Sequence, residues 1–359
     1  MSVALGLARR GLGCTAPNPP VGCVIVKDGS IVGRGWTQPG GRPHAETEAL
    51  HRAGAAAAGA EAFVTLEPCA HHGRTPPCCD ALIAAGIARC VVALTDPDPR
   101  VDGEGMKRMR AAGIAVETGL LAEESAEVTA GFLSRVQRGR PLVTLKLATS
   151  LDGRIATSTG ESKWITGPEA RARAHLLRAE HDAILVGSGT ALSDDPRLDV
   201  RLPGLGGRRP LRVVLDRRLR LPLSHGLVRD ARDLQTLLLT SEDAPEEQAR
   251  AYQQAGVNLQ RVPCDETGEL SLSAVLTGLG EQGMNRVMVE GGAAVAAAFL
   301  KADLVDRLAW FRAPIVLGGD GLAAPGALGI ENLARAPRFR RNSIQALGLD
   351  LLETFARNA

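Results

Sequence analysis

Three residues far apart in this chain are of the kinds that bind a transition metal, and they limit how it can fold. His44 is followed by Cys69 and then by Cys78. One imidazole and two thiolates make three ligands of a tetrahedral zinc. A fourth corner left open holds water, as in catalytic rather than structural sites. The elements that carry these residues must therefore converge on one point. Glu46 stands two residues beyond His44, placed to move protons without binding the metal.

The hydrophobic pattern supplies elements that can do this. Strands are predicted at residues 21–27, 31–36, 62–66, 90–94 and 114–117, and helices at 45–52, 80–85 and 105–112. The Lys27-Asp28-Gly29 turn signal makes the first two strands a hairpin. His44 opens the first of these helices, Cys78 opens the next, and Cys69 follows the strand 62–66. Helix N-termini favour thiolate over thiol. The polar segment Gln137-Arg138-Gly139-Arg140-Pro141 marks a boundary, giving domains 1–139 and 140–359. The second domain repeats the α/β alternation. Its strands are predicted at 142–147, 183–186, 211–215, 234–239, 286–289 and 309–316, and its helices at 168–180, 246–255, 272–282 and 293–300.

Composition narrows the partners. The net charge is +2, and one Tyr, three Trp and six Phe are too few for a platform that stacks single-stranded bases. Nucleic acid is therefore not an expected partner. Seven cysteines, an odd number, do not make a disulfide framework and fit a reducing compartment. Cys14, Cys23, Cys90 and Cys264 read as inert core thiols. No basic segment with an apolar run opens the chain, and no apolar run reaches membrane length. A cytoplasmic enzyme without a membrane partner is expected.

His-x-Glu followed by Pro-Cys and a second Cys is the pattern of zinc deaminases of bases, in which Glu acts as general acid and base. That pattern normally separates the two Cys by two residues, and here eight intervene. A closed structural zinc, with Cys79, His71 or His72 as fourth ligand, is the competing reading. Another is a zinc deaminase of nucleotides or nucleic acid with an appended domain of other function. In the second half, Gly187-x-Gly189 lacks a third glycine, because Leu192 stands there, and is rejected as a dinucleotide fingerprint. Glu290-Gly291-Gly292 precedes a helix, which suits either a phosphate at its N-terminus or a tight turn.

Two longer runs carry a specific resemblance. Thr65-Leu66-Glu67-Pro68-Cys69-Ala70-His71-His72-Gly73-Arg74-Thr75-Pro76-Pro77-Cys78 and Pro17-Asn18-Pro19-Pro20-Val21-Gly22 resemble the bifunctional riboflavin-biosynthesis deaminase–reductase family, where the long insert between the two Cys is normal. The likeness continues through Lys146-Leu147-Ala148-Thr149-Ser150-Leu151-Asp152-Gly153, Trp164-Ile165-Thr166-Gly167, Asp194-Asp195-Pro196-Arg197-Leu198 and Val289-Glu290-Gly291-Gly292. It spans essentially the whole chain.

The resemblance implies an N-terminal cytidine-deaminase-like α/β/α layered domain and a C-terminal dihydrofolate-reductase-like α/β domain. It implies hydrolytic deamination of 2,5-diamino-6-(5-phosphoribosylamino)pyrimidin-4-one. NADPH would then reduce the ribosyl chain of 5-amino-6-(5-phosphoribosylamino)uracil to ribityl. His44, Cys69 and Cys78 would bind zinc, and Glu46 would be catalytic. Asn18, His71 and Arg74 would hold the first substrate; Arg74 is in any case a good phosphate donor or a solvated loop charge. Ala148, Trp164, Thr190, Asp194, Gly292, Ala293, Ala294, Val295, Ala296, Ala297 and Ala298 would line the cofactor site. Ser162, Arg178, Leu198, Arg201 and Glu290 would hold the phosphosugar. Lys146 reads either as a group beside the reacting sugar or as an exposed strand lysine. Members of the family tend to form homo-oligomers. They usually carry residues before the first helix, whereas this chain opens inside it, so an upstream start and a shortened helix are both open.

Overall fold

The computed structural model describes residues 1–73 and 76–358. The chain divides into two compact units, Met1–Arg140 with Gln282–Asn285, and Pro141–Glu281 with the chain from Arg286 onward.

The first unit holds helix α1 (Ser2–Arg9), strands β1 (Gly22–Lys27) and β2 (Ser30–Trp36), α2 (Ala45–Ala53), β3 (Glu61–Val64), α3 (Cys78–Ala84), β4 (Arg89–Val92), α4 (Glu104–Ala111), β5 (Ala115–Thr118) and α5 (Ala122–Arg138). The sheet order is β2-β1-β3-β4-β5. Its first two pairings are antiparallel and the last two parallel. Asp28 and Gly29, with φ of 49° and 75°, close the β1–β2 hairpin as the sequence predicts. Cys23 and Ile25 of β1 join Ala45 and Ala49 of α2, Leu82 of α3 and Met109 of α4 in one core. Leu5 and Ala8 of α1 pack on Val128 of α5. Helices thus cover both faces.

One close contact sets where the functional helix lies. A Cβ on Gly35 would stand 2.1 Å from the Ala45 carbonyl oxygen, and one on Gly33 would stand 2.3 Å from that of Ala49. Only glycine lets α2 rest directly on β2, which brings its first turn over the sheet. Helix α5 has no counterpart in the sequence reading. Small and polar residues, Ser125, Thr129 and Ser134, are buried on its packed side, so its hydrophobic stripe is too faint to read.

The second unit runs β6 (Leu142–Thr149), β7 (Arg154–Ala156), α6 (Pro168–Ala179), β8 (Ala183–Gly187), α7 (Ser188–Asp194), β9 (Leu211–Leu215), α8 (Gly226–Arg229), β10 (Thr236–Ser241), α9 (Glu246–Gln254), β11 (Asn258–Val262), α10 (Leu272–Glu281), β12 (Arg286–Val289), α11 (Ala293–Lys301), β13 (Arg307–Arg312), β14 (Leu322–Ala323), β15 (Phe339–Leu347) and β16 (Asp350–Arg357). The main sheet has the order β11-β10-β9-β8-β12-β6-β13-β16-β15. From β11 to β13 every pairing is parallel, and β16 and β15 add an antiparallel edge. Strands β8 and β10 are buried at every position, as strands covered on both faces must be. The chain winds outward from β8 to β11 and returns to place β12 on the other side of β8. That reversal opens a crevice at the carboxyl ends of β8 and β12, where ligands of parallel sheets bind.

Strand β13 stops at Arg312 instead of running to 316, because Pro314 has no N–H to give the ladder. Strands β7, β11, β14, β15 and β16 and helices α7 and α8 were not predicted. Residues 340–346 of β15 are exposed on both faces, so no period-two apolar pattern marks them.

Candidate metal centre and nucleotide-binding crevice

His44 is the N-cap of α2, with extended backbone. Cys78 is the first residue of α3, and Cys69 lies in the segment after β3. His44 Nδ1 is 3.3 Å from Cys78 Sγ and 3.6 Å from Cys69 Sγ. The three ligand atoms lie within 4.8 Å of one another. Tetrahedral zinc with ordinary bond lengths separates N and S ligands by about 3.6 Å, so the residues fit that ion. The Cys78 backbone N–H donates to Cys69 Sγ at 3.3 Å. Hydrogen bonds from Cys78 and His44 outweigh burial and bring the Cys69 thiol down to about 4. Cys78 is pushed up by its bond to Cys69, by burial and by Glu46. Both thiols must be deprotonated to bind a metal, so binding releases protons.

Glu46 sits in the first turn of α2, 3% exposed. Burial raises its carboxyl to about 7 despite the opposing charge of His44, and the Cys78 thiol bonds to it. A carboxyl poised there can take and return a proton near neutral pH. Cys79 turns the other way. It is fully buried, donates to Asp80 Oδ1 at 3.4 Å, and burial pushes its thiol up to about 12. It is no metal ligand. Cys23 and Cys90 are buried as expected, but Cys264 is exposed and Cys14 only partly covered. Cys264 lies at a bridge outside the main strands, which corrects its reading as a core thiol.

Asn18 borders the same centre. Its amide donates to the Gly41 carbonyl at 2.7 Å and lies 3.3 Å from His44 Nε2. His71 is half-buried, with an Nδ1 that has no hydrogen-bond partner among the described residues. Arg74 lies outside the described residues. One residue escaped the sequence reading. Glu67, 3% exposed, accepts four backbone N–H bonds, from Asp96, Gly103, Gly105 and Met106, at 3.0–3.3 Å. It ties the Pro68-Cys69 turn to the start of α4. The signal was an acid at the end of an apolar strand, where a buried carboxylate must find donors.

In the second unit the predicted residues gather at the carboxyl edge of the parallel sheet. Ala148 is the penultimate residue of β6, Thr190 and Asp194 lie on α7 after β8, and Glu290-Gly291-Gly292 follow β12. The Gly292 N–H donates to Thr190 Oγ1 at 2.9 Å. A Cβ on Gly187 would stand 2.5 Å from Val295, and one on Gly291 would stand 2.7 Å from it. The turn into α11 therefore admits only glycine, and its backbone forms a cradle that suits a dinucleotide phosphate. Ala296 and Ala297 do not fit the expectation. They face the core, 0% and 6% exposed, because they fall on the inner side of α11. Gly292, Ala293, Ala294, Val295 and Ala298 keep some accessibility. Trp164 is 69% exposed, with the Arg171 guanidinium over its ring.

Beside this cradle lies a buried ion pair. Arg178 Nε and Nη2 donate to Glu290 Oε1 and Oε2 at 2.6 and 2.8 Å, and Arg178 Nη1 donates to the Asp199 carbonyl at 3.0 Å. Burial alone would raise Glu290, but Arg178 and then Lys146 pull it down to about 2. Burial lowers Lys146, whose ammonium faces the Phe311 ring; it is not the exposed strand lysine of the alternative reading. Leu198 is 2% exposed and has a φ of 51°, so only its backbone can meet a ligand. Ser162 is half-buried between β7 and α6. Arg201 lies close to α6, its backbone nitrogen 3.3 Å from His175 Nδ1.

Two family models match the chain: the cytidine and deoxycytidylate deaminase zinc-binding region over residues 1–94, and the RibD C-terminal domain over residues 141–352. The riboflavin biosynthesis protein RibD of Escherichia coli (strain K12) is 46% identical, over 98% of this chain and 96% of that protein. The chain belongs to the RibD family. The RibD protein of Aquifex aeolicus is 42% identical over 99% of this chain and 97% of its own length. The solved RibD structure from Acinetobacter baumannii has a TM-score of 0.90 at 38% identity, covering 100% of this chain and 98% of that one. A Thermotoga maritima structure, described as a diaminohydroxyphosphoribosylaminopyrimidine deaminase/5-amino-6-(5-phosphoribosylamino)uracil reductase, has a TM-score of 0.87 at 36% identity, covering 100% and 97%. The resemblance read from the motifs is thus confirmed. This RibD chain is a bifunctional enzyme of riboflavin biosynthesis, with a zinc-binding deaminase domain and a reductase domain. Among the described residues, no helix is long and apolar enough to cross a membrane.

Proposed function

We propose that residues 1–139 hydrolyse the 2-amino group of 2,5-diamino-6-(5-phosphoribosylamino)pyrimidin-4-one, releasing ammonia. Residues 140–359 then reduce the ribosyl chain of 5-amino-6-(5-phosphoribosylamino)uracil to ribityl. The observation that carries this reading is the buried Glu46 carboxyl beside the His44, Cys69 and Cys78 cluster. His44, Cys69 and Cys78 would hold zinc, which when bound would supply the Lewis acidity that makes water a nucleophile near neutral pH. Glu46 accepts the water's proton and passes it to the ring nitrogen and the departing amine. Asn18 and His71, whose Nδ1 has no partner among the described residues, border the substrate, and Arg74 binds its phosphate.

Gly292, Ala293, Ala294, Val295 and Ala298, with Thr190, Asp194, Ala148 and Trp164, would hold NADPH, which when bound would supply the hydride for the sugar's C1′. Arg178, Arg201, Ser162 and the Leu198 backbone hold the phosphosugar, and Glu290 and Lys146 face the reacting carbon. Stripping the metal with a chelator is expected to abolish ammonia release while NADPH oxidation on pre-deaminated substrate continues. Equal loss of both activities would overturn the assignment of zinc to the first reaction alone.

The low net charge and scarce aromatics support a small-molecule substrate with no nucleic acid, and seven free cysteines support a cytoplasmic setting. A homo-oligomer is supported by β15, an edge strand in which Ile344 is 52% exposed, next to a turn where Leu349 is 87% exposed. Sedimentation equilibrium should show a dimer or larger; a monomer at micromolar concentration would refute this.

A further inference from the structure

His175 belongs to none of the expected site residues, yet it stands between Arg178 and Arg201. It lies on α6, half-buried, one turn before Arg178. Its Nδ1 is 3.1 Å from the Asp199 carbonyl oxygen. That oxygen also accepts from Arg178 Nη1 at 3.0 Å. Its Nε2 is 3.5 Å from Arg201 Nη2. The Asp199 carboxylate pairs with Arg201 Nε at 3.2 Å and with Arg197 Nε at 3.1 Å. The guanidinium of Arg201 is therefore held on one side by a carboxylate and on the other by an imidazole.

The contacts select one form of that imidazole. With the hydrogen on Nδ1, the ring donates to Asp199 O and its Nε2 lone pair accepts from Arg201 Nη2. With the hydrogen on Nε2, both contacts are lost, and only the Arg201 backbone N–H, 3.3 Å from Nδ1, is served. A doubly protonated ring would set N–H against a guanidinium. Burial, Arg178 and Arg201 all hold the ring below its usual range, in keeping with the neutral form.

We propose that His175 is a positioning residue of the reductase site, fixing the Arg201 guanidinium so that it meets the phosphate of the phosphosugar. This rests on the reading that Arg201 binds that phosphate. An arginine that is 60% exposed in its side chain loses much rotamer freedom when it grips an anion. A fixed acceptor on Nη2 removes part of that loss before the ligand arrives.

The test is calorimetric titration of the full-length, zinc-loaded enzyme with ribose 5-phosphate, alongside NADPH binding followed by fluorescence. R201A is expected to weaken sugar-phosphate binding by about 10-fold or more, as loss of a charge-assisted phosphate contact does. H175A should weaken it by about 5-fold, and the H175A/R201A double variant should be no weaker than R201A, because the two act as a unit. H175Q, whose Oε1 can stand in for Nε2 as acceptor, should restore binding to within about 2-fold. NADPH affinity should not change in any of them. If R201A weakens binding but H175A does not, the positioning role is wrong. Independent, additive losses overturn it as well, since His175 would then act on its own. If R201A itself binds as the parent does, the reading of Arg201 fails instead.

Discussion

Replacing Glu46 with glutamine is expected to lower the rate of ammonia release by about 10²- to 10⁴-fold, the usual contribution of a positioned general acid–base. Glutamine keeps the length and the buried position of the side chain, so the turn of α2 over Gly33 and Gly35 stays intact. What it loses is the ability to take a proton. Burial raises the carboxyl to about 7 in the site without its metal, and a carboxylate beside a metal-bound water can both accept a proton and give it back. The three metal ligands are untouched, so zinc content by elemental analysis should equal that of the parent. Reduction of pre-deaminated substrate by the same preparation is the internal control. A variant that keeps zinc and reduces normally but deaminates at the parental rate would falsify the role of Glu46. One that loses zinc would show that the carboxyl is needed to build the cluster rather than to move protons.

How much of this was legible beforehand follows from what kind of interaction each residue makes. His44, Cys69 and Cys78 were readable because metal ligation needs particular side chains, and few alternatives exist at those positions. The hairpin was readable because Asp28-Gly29 supplies the positive φ its turn requires. Helix α5 and strand β15 were not. One buries Ser125, Thr129 and Ser134, and the other buries almost nothing, so neither shows the hydrophobic period that marks an element. Glu67 was missed for a related reason. Its partners are backbone N–H groups, which any residue carries, so nothing in the sequence points to them. Ala296 and Ala297 were placed at the cofactor by their position in a motif; the 3.6-residue turn of α11 decides instead, and it points them inward.

Arg178→Ala is expected to have the largest effect on the second unit. Arg178 makes a bidentate bond to Glu290, and both side chains are largely buried, 14% and 8% exposed. Removing one partner of a buried pair leaves the other charge uncompensated, at a cost of about 3–5 kcal/mol. Lys146 still faces Glu290, which places the effect toward the lower end. The pH dependence fixes the cause. In the parent, the folded Glu290 pKa is about 2, below its unfolded value, so its contribution is present above the unfolded value and lost in acid. Without Arg178, burial dominates and the folded pKa rises above the unfolded one. The deficit should then be small only in strong acid, where the carboxyl is neutral in both proteins, and grow as pH rises from about 2 through the unfolded value toward neutrality. Denaturant unfolding of the variant and the parent across that range measures it. The R178M/E290L double variant removes both charges and should recover most of the stability while reduction stays lost, since both residues are proposed to face the substrate. A deficit independent of pH, or a double variant no more stable than R178A, would mean that lost packing of the arginine, not the stranded carboxylate, is what destabilises the unit.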